Sequence, residues 1–153
     1  MITQEQVIQA QNEWGKGVVK IGSLKNKRPE CESEASEFAD KLYAFDDETV
    51  LFKPTKCAEE QFRPTKAEAA SYFIAGNKRA CEEDKGFAIN PWTNVRFENH
   101  GFILEEKRAI AMGNYFFTDL NGKEAKVEYT FGYKLIKGAL KIDLHHSSFP
   151  YNP

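Results

Sequence analysis

The hydrophobic repeat of this chain changes once, and that change limits its possible folds more than any other feature. Before residue 83, apolar residues such as Val7, Ala10 and Trp14 recur every three or four positions, which is the pattern of amphipathic helices. From residue 83 onward, apolar and polar residues alternate, which is the pattern of strands. Helices that precede a run of strands favour an α+β domain, in which the helices cover one face of a curved antiparallel sheet.

The second half of the chain holds the strand candidates KGFAINPW, VRFENHGFILEE, RAIAMGNYFFTD, KVEYTFGYKLI and ALKIDLHHSSF. Asn121-Gly122 and Lys137-Gly138 separate the last three at the spacing of hairpins, which makes these strands antiparallel. A sheet of such long strands curls around the helices into a cone with an open mouth, where a pocket is expected. The 12 phenylalanines exceed what core filling needs, so we expect an aromatic cavity lining or a subunit interface on the outer sheet face, as in a homodimer.

Capping signals mark two helix starts in the first half of the chain. Thr3 with Gln6 and Thr65 with Glu68 have the spacing of capping boxes. Glycines weaken the second half of the first helix, which predicts either fraying or close packing there. Between the two capped helices, the sequence predicts another helix and a short strand at residues 50–53, which a proline ends.

Length and charge bound the function. A chain of 153 residues buries roughly 70% of its unfolded surface, so we expect a single domain over residues 1–153. With 21 basic and 23 acidic residues, no basic field favours nucleic acid or an anionic membrane as partner.

The three cysteines are odd in number and widely spaced, which favours free thiols in a reducing compartment. The start, MITQEQVIQAQNEW, lacks signal-peptide features and no stretch is apolar enough to span a membrane, so a cytoplasmic location is expected.

The sequence predicts no tight metal site and no cofactor. A catalytic zinc needs three protein ligands, and the chain has only His100, His145 and His146. Adjacent residues of a strand point to opposite faces, so the last two histidines cannot converge on one ion. There is also no C-x-x-C pair and no H-E-x-x-H spacing.

A resemblance to a known family rests on the segments LYAFDDETVLFKPTK, FRPTKAEAASYF, EDKGFAINPWTNVRFEN, AMGNYFFT, VEYTFGYKL and LHHSSFPY. They resemble bacterial proteins related to the calcium/calmodulin-dependent kinase II association domain, in the nuclear-transport-factor-2-like superfamily. Within that group they are similar to the iota-class carbonic anhydrases. The resemblance covers about residue 5 to the end, and the HHSS ending is its most specific part.

The resemblance implies reversible hydration of carbon dioxide to bicarbonate. Some iota-class members work without a metal and others are linked to manganese, and the ligand count above is compatible with a metal-free site. By resemblance the catalytic residues are Thr55, Tyr72, His145 and Ser147, and Thr55, Tyr72 and Ser147 bind the substrate. We expect these hydroxyls to hold a water that attacks carbon dioxide while His145 helps to move the proton.

The residue pattern alone leaves each assignment open. Thr55 could cap a turn, and Tyr72 could be a core residue with its hydroxyl at the rim. His145 and Ser147 alternate with Lys141 and Asp143, which is the pattern of a solvated face, so His146 and Ser148 could face the pocket instead. The resemblance favours His145 and Ser147.

Two rival functions belong to the same fold. One is a non-catalytic assembly module like the kinase association domain, which builds rings. The other is an isomerase or dehydratase, whose carboxylate base could be Asp46, Asp47 or Glu98, although all three fit turn or surface positions. Arg63 and Arg96 could steer an anion to the mouth, but an ion-paired role is the simpler interpretation.

Overall fold

Three helices and one short strand precede four long strands in the computed structural model, which describes residues 1–153. The helices are α1 (Gln4–Ser23), α2 (Arg28–Leu42) and α3 (Lys66–Ile74). The strands are β1 (Leu51–Lys53), β2 (Trp92–Leu104), β3 (Arg108–Asp119), β4 (Glu124–Ile136) and β5 (Ala139–Ser148). They form one sheet in the order β1-β5-β4-β3-β2, in which only β1 and β5 pair in parallel. The predicted α+β architecture is therefore confirmed.

The two predicted helix starts differ in how fully their caps form. Gln6 donates its backbone N–H to the Thr3 hydroxyl (3.2 Å), and the Thr3 N–H donates to the Gln6 side chain (2.7 Å), so this capping box is complete. The Thr65 hydroxyl accepts from the Glu68 N–H (3.2 Å) but donates to the Glu68 carboxylate (2.8 Å). The second box is therefore only half formed, although α3 still begins at the predicted place.

The glycines of α1 allow close packing, and the helix does not fray. A Cβ on Gly17 would lie 2.5 Å from the ring of Phe38 on α2, and one on Gly15 would lie 3.1 Å from the Val95 side chain on β2. Because both sites lack a side chain, α1 can lie directly against its neighbours and run unbroken to Ser23.

One predicted strand is wrong. The segment KGFAINPW forms turns beneath α3, and strand β2 begins only at its last residue, Trp92. The N–H groups of Phe87 and Ala88 donate to the carbonyls of Tyr72 and Phe73 (2.9 Å each). These donors therefore serve the end of a helix and not a strand ladder. The two predicted hairpins are confirmed, and the glycine of each has positive φ.

The core lies between the helices and the inner face of the sheet, and it is mainly aromatic. Trp14 of α1 is almost fully buried at its centre and contacts rings from α2, α3 and four strands. The inward rings of β3 and β4 are Tyr115, Phe117, Tyr129, Phe131 and Tyr133. All three cysteines are buried free thiols, as predicted. None of the helices has both the length and the apolar character needed to cross a bilayer.

Candidate active site

On strand β5, the side chains of His145 and Ser147 point into the interior of the protein. Only 2% of His145 and 1% of Ser147 is exposed, whereas His146 is exposed on the outer face. On β4 they lie opposite the inward residues Phe131 and Tyr129. The structure therefore agrees with the face that the family resemblance favours, and not with the solvated face that simple alternation indicates.

A β-bulge explains why simple alternation is misleading here. Leu144 pairs with Gly132, but the next pair of the ladder is Ile142 with Tyr133, so Asp143 has no partner on β4. One extra residue reverses the inside-outside alternation of the strand beyond it. As a result, Ile142, which precedes the bulge, shares the inner face with His145 and Ser147, which follow it.

Ser147 lies at the centre of a set of hydroxyl groups. Its Oγ is 2.6 Å from the Thr55 Oγ1 and 2.6 Å from the Tyr115 hydroxyl. Thr55 follows β1, the parallel neighbour of β5, and Tyr115 comes from β3, on the far side of β4. Thr55 is half-buried, whereas Ser147 and Tyr115 are buried. The structure thus brings together two of the predicted residues and adds a tyrosine that the sequence did not single out.

Tyr72 of α3 joins this set through the backbone next to Thr55. The Lys56 N–H donates to the Tyr72 hydroxyl (3.1 Å), and only 4% of Tyr72 is exposed. Burial raises the pKa of Tyr72, and hydrogen bonds from the Lys56 backbone and Thr55 offset only part of that rise. The phenol stays protonated at neutral pH and can donate its hydrogen. Thr55, Tyr72, Tyr115 and Ser147 are called the hydroxyl cluster below.

His145 lies behind the hydroxyl cluster and touches it through Tyr115. Its Nε2 is 3.0 Å from the Tyr115 hydroxyl, and its Nδ1 is 2.8 Å from the Tyr43 hydroxyl. Tyr43 in turn accepts a hydrogen bond from the Trp14 indole N–H (3.0 Å). The imidazole stacks on Phe52 with ring centres 4.6 Å apart, and burial holds its pKa well below the usual value. The ring is therefore neutral.

Arg63 does not steer anions, because it is fully buried in an ion pair. Its two terminal nitrogens each donate to a carboxylate oxygen of Asp84 (2.8 Å), which also accepts from Ser71 (2.5 Å). Its Nε donates to the Glu60 carbonyl (2.7 Å), and its backbone N–H donates to the Phe52 carbonyl (2.8 Å). The pair ties the loop that carries Thr55 to helix α3 and to the segment after it.

Arg96 does not steer anions either, because it lies on the outer sheet face. It pairs there with Glu98 and Glu124, at 2.7 Å in each case. The interpretation as ion-paired arginines is therefore confirmed for both Arg63 and Arg96.

The carboxylates proposed for an isomerase lie outside the hydroxyl cluster. Asp46 pairs with Lys66 (2.8 Å) and Asp47 with Lys141 (3.6 Å) at the exposed turn after α2, and Glu98 bonds to an arginine on the outer face. No carboxylate hydrogen-bonds to the cluster hydroxyls or to the imidazole behind them. The structure therefore lacks the base that the isomerase rival requires.

The donor set of the cluster fits an uncharged or anionic small molecule better than a cation. Its members are neutral hydroxyls, and both nitrogens of the one nearby imidazole bond to tyrosines. The side chains that could jointly hold a metal are Glu59, Cys81 and Glu83, and none belongs to the cluster. Moreover, the Glu83 carboxylate already accepts backbone N–H groups of residues 58–60.

Comparison with known proteins agrees with this geometry. Residues 5–149 match the profile of the family described as metal-independent carbonic anhydrase. The chain is 36% identical over 154 residues to the metal-independent carbonic anhydrase of Nostoc sp., covering 98% of this chain and 75% of that protein. It superposes on a cyanobacterial iota-carbonic anhydrase complexed with bicarbonate with a TM-score of 0.93 at 35% identity, over 99% of this chain and 94% of the other.

More distant structures share the fold. A Xanthomonas campestris protein described as a calcium/calmodulin-dependent protein kinase II association domain gives a TM-score of 0.66 at 22% identity, over 99% of this chain and 91% of that one. A nuclear transport factor 2-like protein from Novosphingobium aromaticivorans gives 0.64 at 10% identity, over 98% and 83%. These likenesses confirm the predicted nuclear-transport-factor-2-like cone. Since the family profile matches nearly the whole chain, and a relative more than one-third identical spans it, the chain belongs to the metal-independent carbonic anhydrase family.

Proposed function

We propose that this chain hydrates carbon dioxide reversibly to bicarbonate, with the hydroxyl cluster positioning the water and the substrate. The observation that carries the proposal is the contact of Ser147 with both Thr55 and Tyr115 at 2.6 Å. The Tyr72 phenol lies beside them and accepts from the Lys56 N–H, so its own hydrogen can be donated to a substrate. The bicarbonate held by the cyanobacterial relative, which shares 35% of its residues with this chain, supports the same substrate.

Neutral donors suit this reaction. Negative charge builds on the oxygens of carbon dioxide as water attacks its carbon, and pre-aimed hydrogen-bond donors stabilise that charge. Thr55 and Tyr72 supply such donors at the partly exposed end of the cluster. Because neither group carries a charge, the product is held less tightly than an arginine would hold it.

The proton can move without a strong base. As the water oxygen bonds to carbon, one water proton passes to the Thr55 oxygen while the Thr55 hydrogen passes to an oxygen of carbon dioxide. The product of this step is carbonic acid, which then loses a proton to solvent and becomes bicarbonate. Both ring nitrogens of His145 bond to tyrosine hydroxyls, so its part is indirect, through Tyr115 and Ser147.

Stopped-flow hydration assays test the proposal. Thr55→Val and Tyr72→Phe each remove one donor with little change of shape, and we expect each to lower kcat by roughly 10² to 10³, the range for one oxyanion donor. The matched control is Tyr133→Phe, since the Tyr133 hydroxyl is buried and bonds to nothing, and it should keep the wild-type rate. Wild-type rates in the two donor variants, with the fold intact, would refute the proposal.

We propose further that the chain forms a homodimer through the outer face of the sheet. Ile110, Met112 and Phe116 point outward from β3, and Met112 is 52% exposed in the monomer. Apolar side chains in the middle of a sheet face favour burial against a second copy. Sedimentation equilibrium should give two chains for the wild type and one for Met112→Glu. A large ring would support the assembly-module rival instead.

A further inference from the structure

The hydrogen bonds behind the hydroxyl cluster form one continuous chain that starts at a group able only to donate. We infer that the indole of Trp14, acting through Tyr43, fixes the tautomer of His145 and thereby aims the hydroxyl hydrogens of the cluster at the substrate. The substrate part of this inference rests on the proposed function. The tautomer part rests on geometry alone.

The first step concerns Tyr43, whose hydroxyl has two partners. The Trp14 indole N–H can only donate, and it lies 3.0 Å from the Tyr43 oxygen. The other partner is the His145 Nδ1, at 2.8 Å. If Nδ1 carried the hydrogen, Tyr43 would accept twice and its own buried hydrogen would have no acceptor, which is costly. Tyr43 therefore donates to a bare Nδ1, and the ring hydrogen lies on Nε2.

The second step follows the chain from Nε2 outward. The Nε2 hydrogen donates to Tyr115 (3.0 Å), which donates to Ser147 (2.6 Å), which donates to Thr55 (2.6 Å). Each hydroxyl along this path accepts once and donates once. The Thr55 hydrogen is then not used within this path, and Thr55, which also lies within hydrogen-bond reach of Tyr72, is the half-buried member of the path. The path thus ends in a donor that none of its own members takes up, beside Tyr72 and at the place where the substrate would bind.

If the hydrogen bonds of this path ran in the opposite direction, two donors would compete for one acceptor. If Thr55 donated inward, each hydroxyl would pass its hydrogen toward the imidazole, and Nδ1 would donate to Tyr43. Two N–H donors, one from Trp14 and one from His145, would then meet on one buried oxygen. A doubly protonated ring would not resolve the conflict, because its Nδ1 would still donate to Tyr43, and burial disfavours that form by lowering the pKa of His145. Trp14 and Tyr43 are therefore positioning residues, which act on the cluster without touching the substrate.

Histidine-specific ¹⁵N NMR tests the inference directly, because the two neutral tautomers give different ring-nitrogen shifts. His145 is identified by comparison with His145→Gln. The perturbation is 3-benzothienylalanine at position 14, which keeps the shape of tryptophan but replaces the N–H with sulfur. The matched control is the same residue at position 92, whose indole N–H donates to the Phe87 carbonyl (2.9 Å), away from the chain of bonds.

We expect hydrogen on Nε2 in the wild type and in the position-92 protein. At position 14, loss of one hydrogen bond should change the tautomer ratio by roughly tenfold, so that both forms become visible. The hydration kcat/KM should fall as the Nδ1-protonated form becomes populated, by about twofold where the two forms are equal, since that form aims Thr55 inward.

Either of two NMR results would overturn the inference: hydrogen on Nδ1 in the wild type, or unchanged ring shifts in the position-14 protein. The NMR measurement needs no substrate, so it separates this inference from the proposed function. A wild-type ring protonated on Nε2 in a protein without hydration activity would support the tautomer and overturn the proposed function.

Discussion

Arg63 and Asp84 form a buried ion pair beside the candidate site, and we expect a conservative substitution in this pair to reduce the stability strongly. Asp84→Asn keeps the shape of the side chain but removes the only negative charge that contacts Arg63, both side chains being fully buried. The new amide group would also present its N–H hydrogens to a guanidinium nitrogen that needs an acceptor. The variant therefore leaves a buried cation without its counter-ion.

The magnitude follows from that environment. Removing one partner of a buried pair costs about 3–5 kcal/mol, out of a total stability of about 5–15 kcal/mol for a domain. With a urea m-value of about 2 kcal/mol/M, the midpoint should fall by roughly 1.5–2.5 M with the slope unchanged. The variant should still fold, but with a much smaller margin.

A second ion pair supplies the control. Glu82 pairs with Arg79 at 2.8 Å, but its side chain is 87% exposed, so Glu82→Gln should leave the stability nearly unchanged. Urea unfolding followed by tryptophan fluorescence compares the two variants. The hydration rate should also fall in Asp84→Asn, since Arg63 anchors the loop that carries Thr55. A midpoint shift no larger than that of Glu82→Gln would refute this reasoning.

The same ion pair makes the stability of the fold depend on pH in acid. Burial opposes the ionisation of Asp84, but hydrogen bonds from Arg63 and Ser71 and the arginine charge outweigh it, so the pKa lies below the ordinary value. A lowered pKa gives stability that is present above about pH 3.9, the unfolded value, and is lost as the pH falls through the folded value.

Three further predictions concern stability, each measured by urea unfolding. Tyr133→Phe should be neutral or up to about 1 kcal/mol more stable, because the hydroxyl it removes is buried without a partner. Gly17→Ala should destabilise by about 1–3 kcal/mol, because the new Cβ would lie 2.5 Å from the Phe38 ring; a stabilised variant would contradict the close packing of α1. His145 should make stability fall as the pH drops below about 6.5, by at most about 1.4 kcal/mol per pH unit, because its lowered pKa lets only the unfolded chain take up the proton. His145→Gln should flatten that part of the profile, and an unchanged slope would contradict the neutral buried ring.

Local signals were enough to predict much of the fold. The limits of β3, Arg108–Asp119, and the two hairpins follow from alternation and from Asn-Gly and Lys-Gly turns, which act within a few residues. The segment KGFAINPW could not be predicted as a loop, because Phe87 and Ala88 are buried by contact with α3 and so mimic the pattern of a strand. The inward face of β5 depends on a bulge opposite β4, which alternation along one strand cannot reveal.

In the candidate site, too, some residues could be predicted from the sequence and others could not. Thr55, Tyr72 and Ser147 could be named only by resemblance to a family. Tyr115 and Tyr43 were missed because, in a sequence, a tyrosine that bonds within a site looks the same as one that fills a core. Their roles depend on sheet order and helix packing, which place residues far apart in the chain within one hydrogen bond of each other. The alternating inward positions of NYFFT were the only signal that could have pointed to Tyr115.

The most direct test of the account is the rate of ¹⁸O exchange between carbon dioxide and water, followed by mass spectrometry on protein whose metal content has been reduced by chelation to well below one ion per chain. The account predicts that exchange continues at the rate of the untreated protein and is lost in Thr55→Val. Exchange that disappears on chelation and returns when zinc or manganese is added would contradict it.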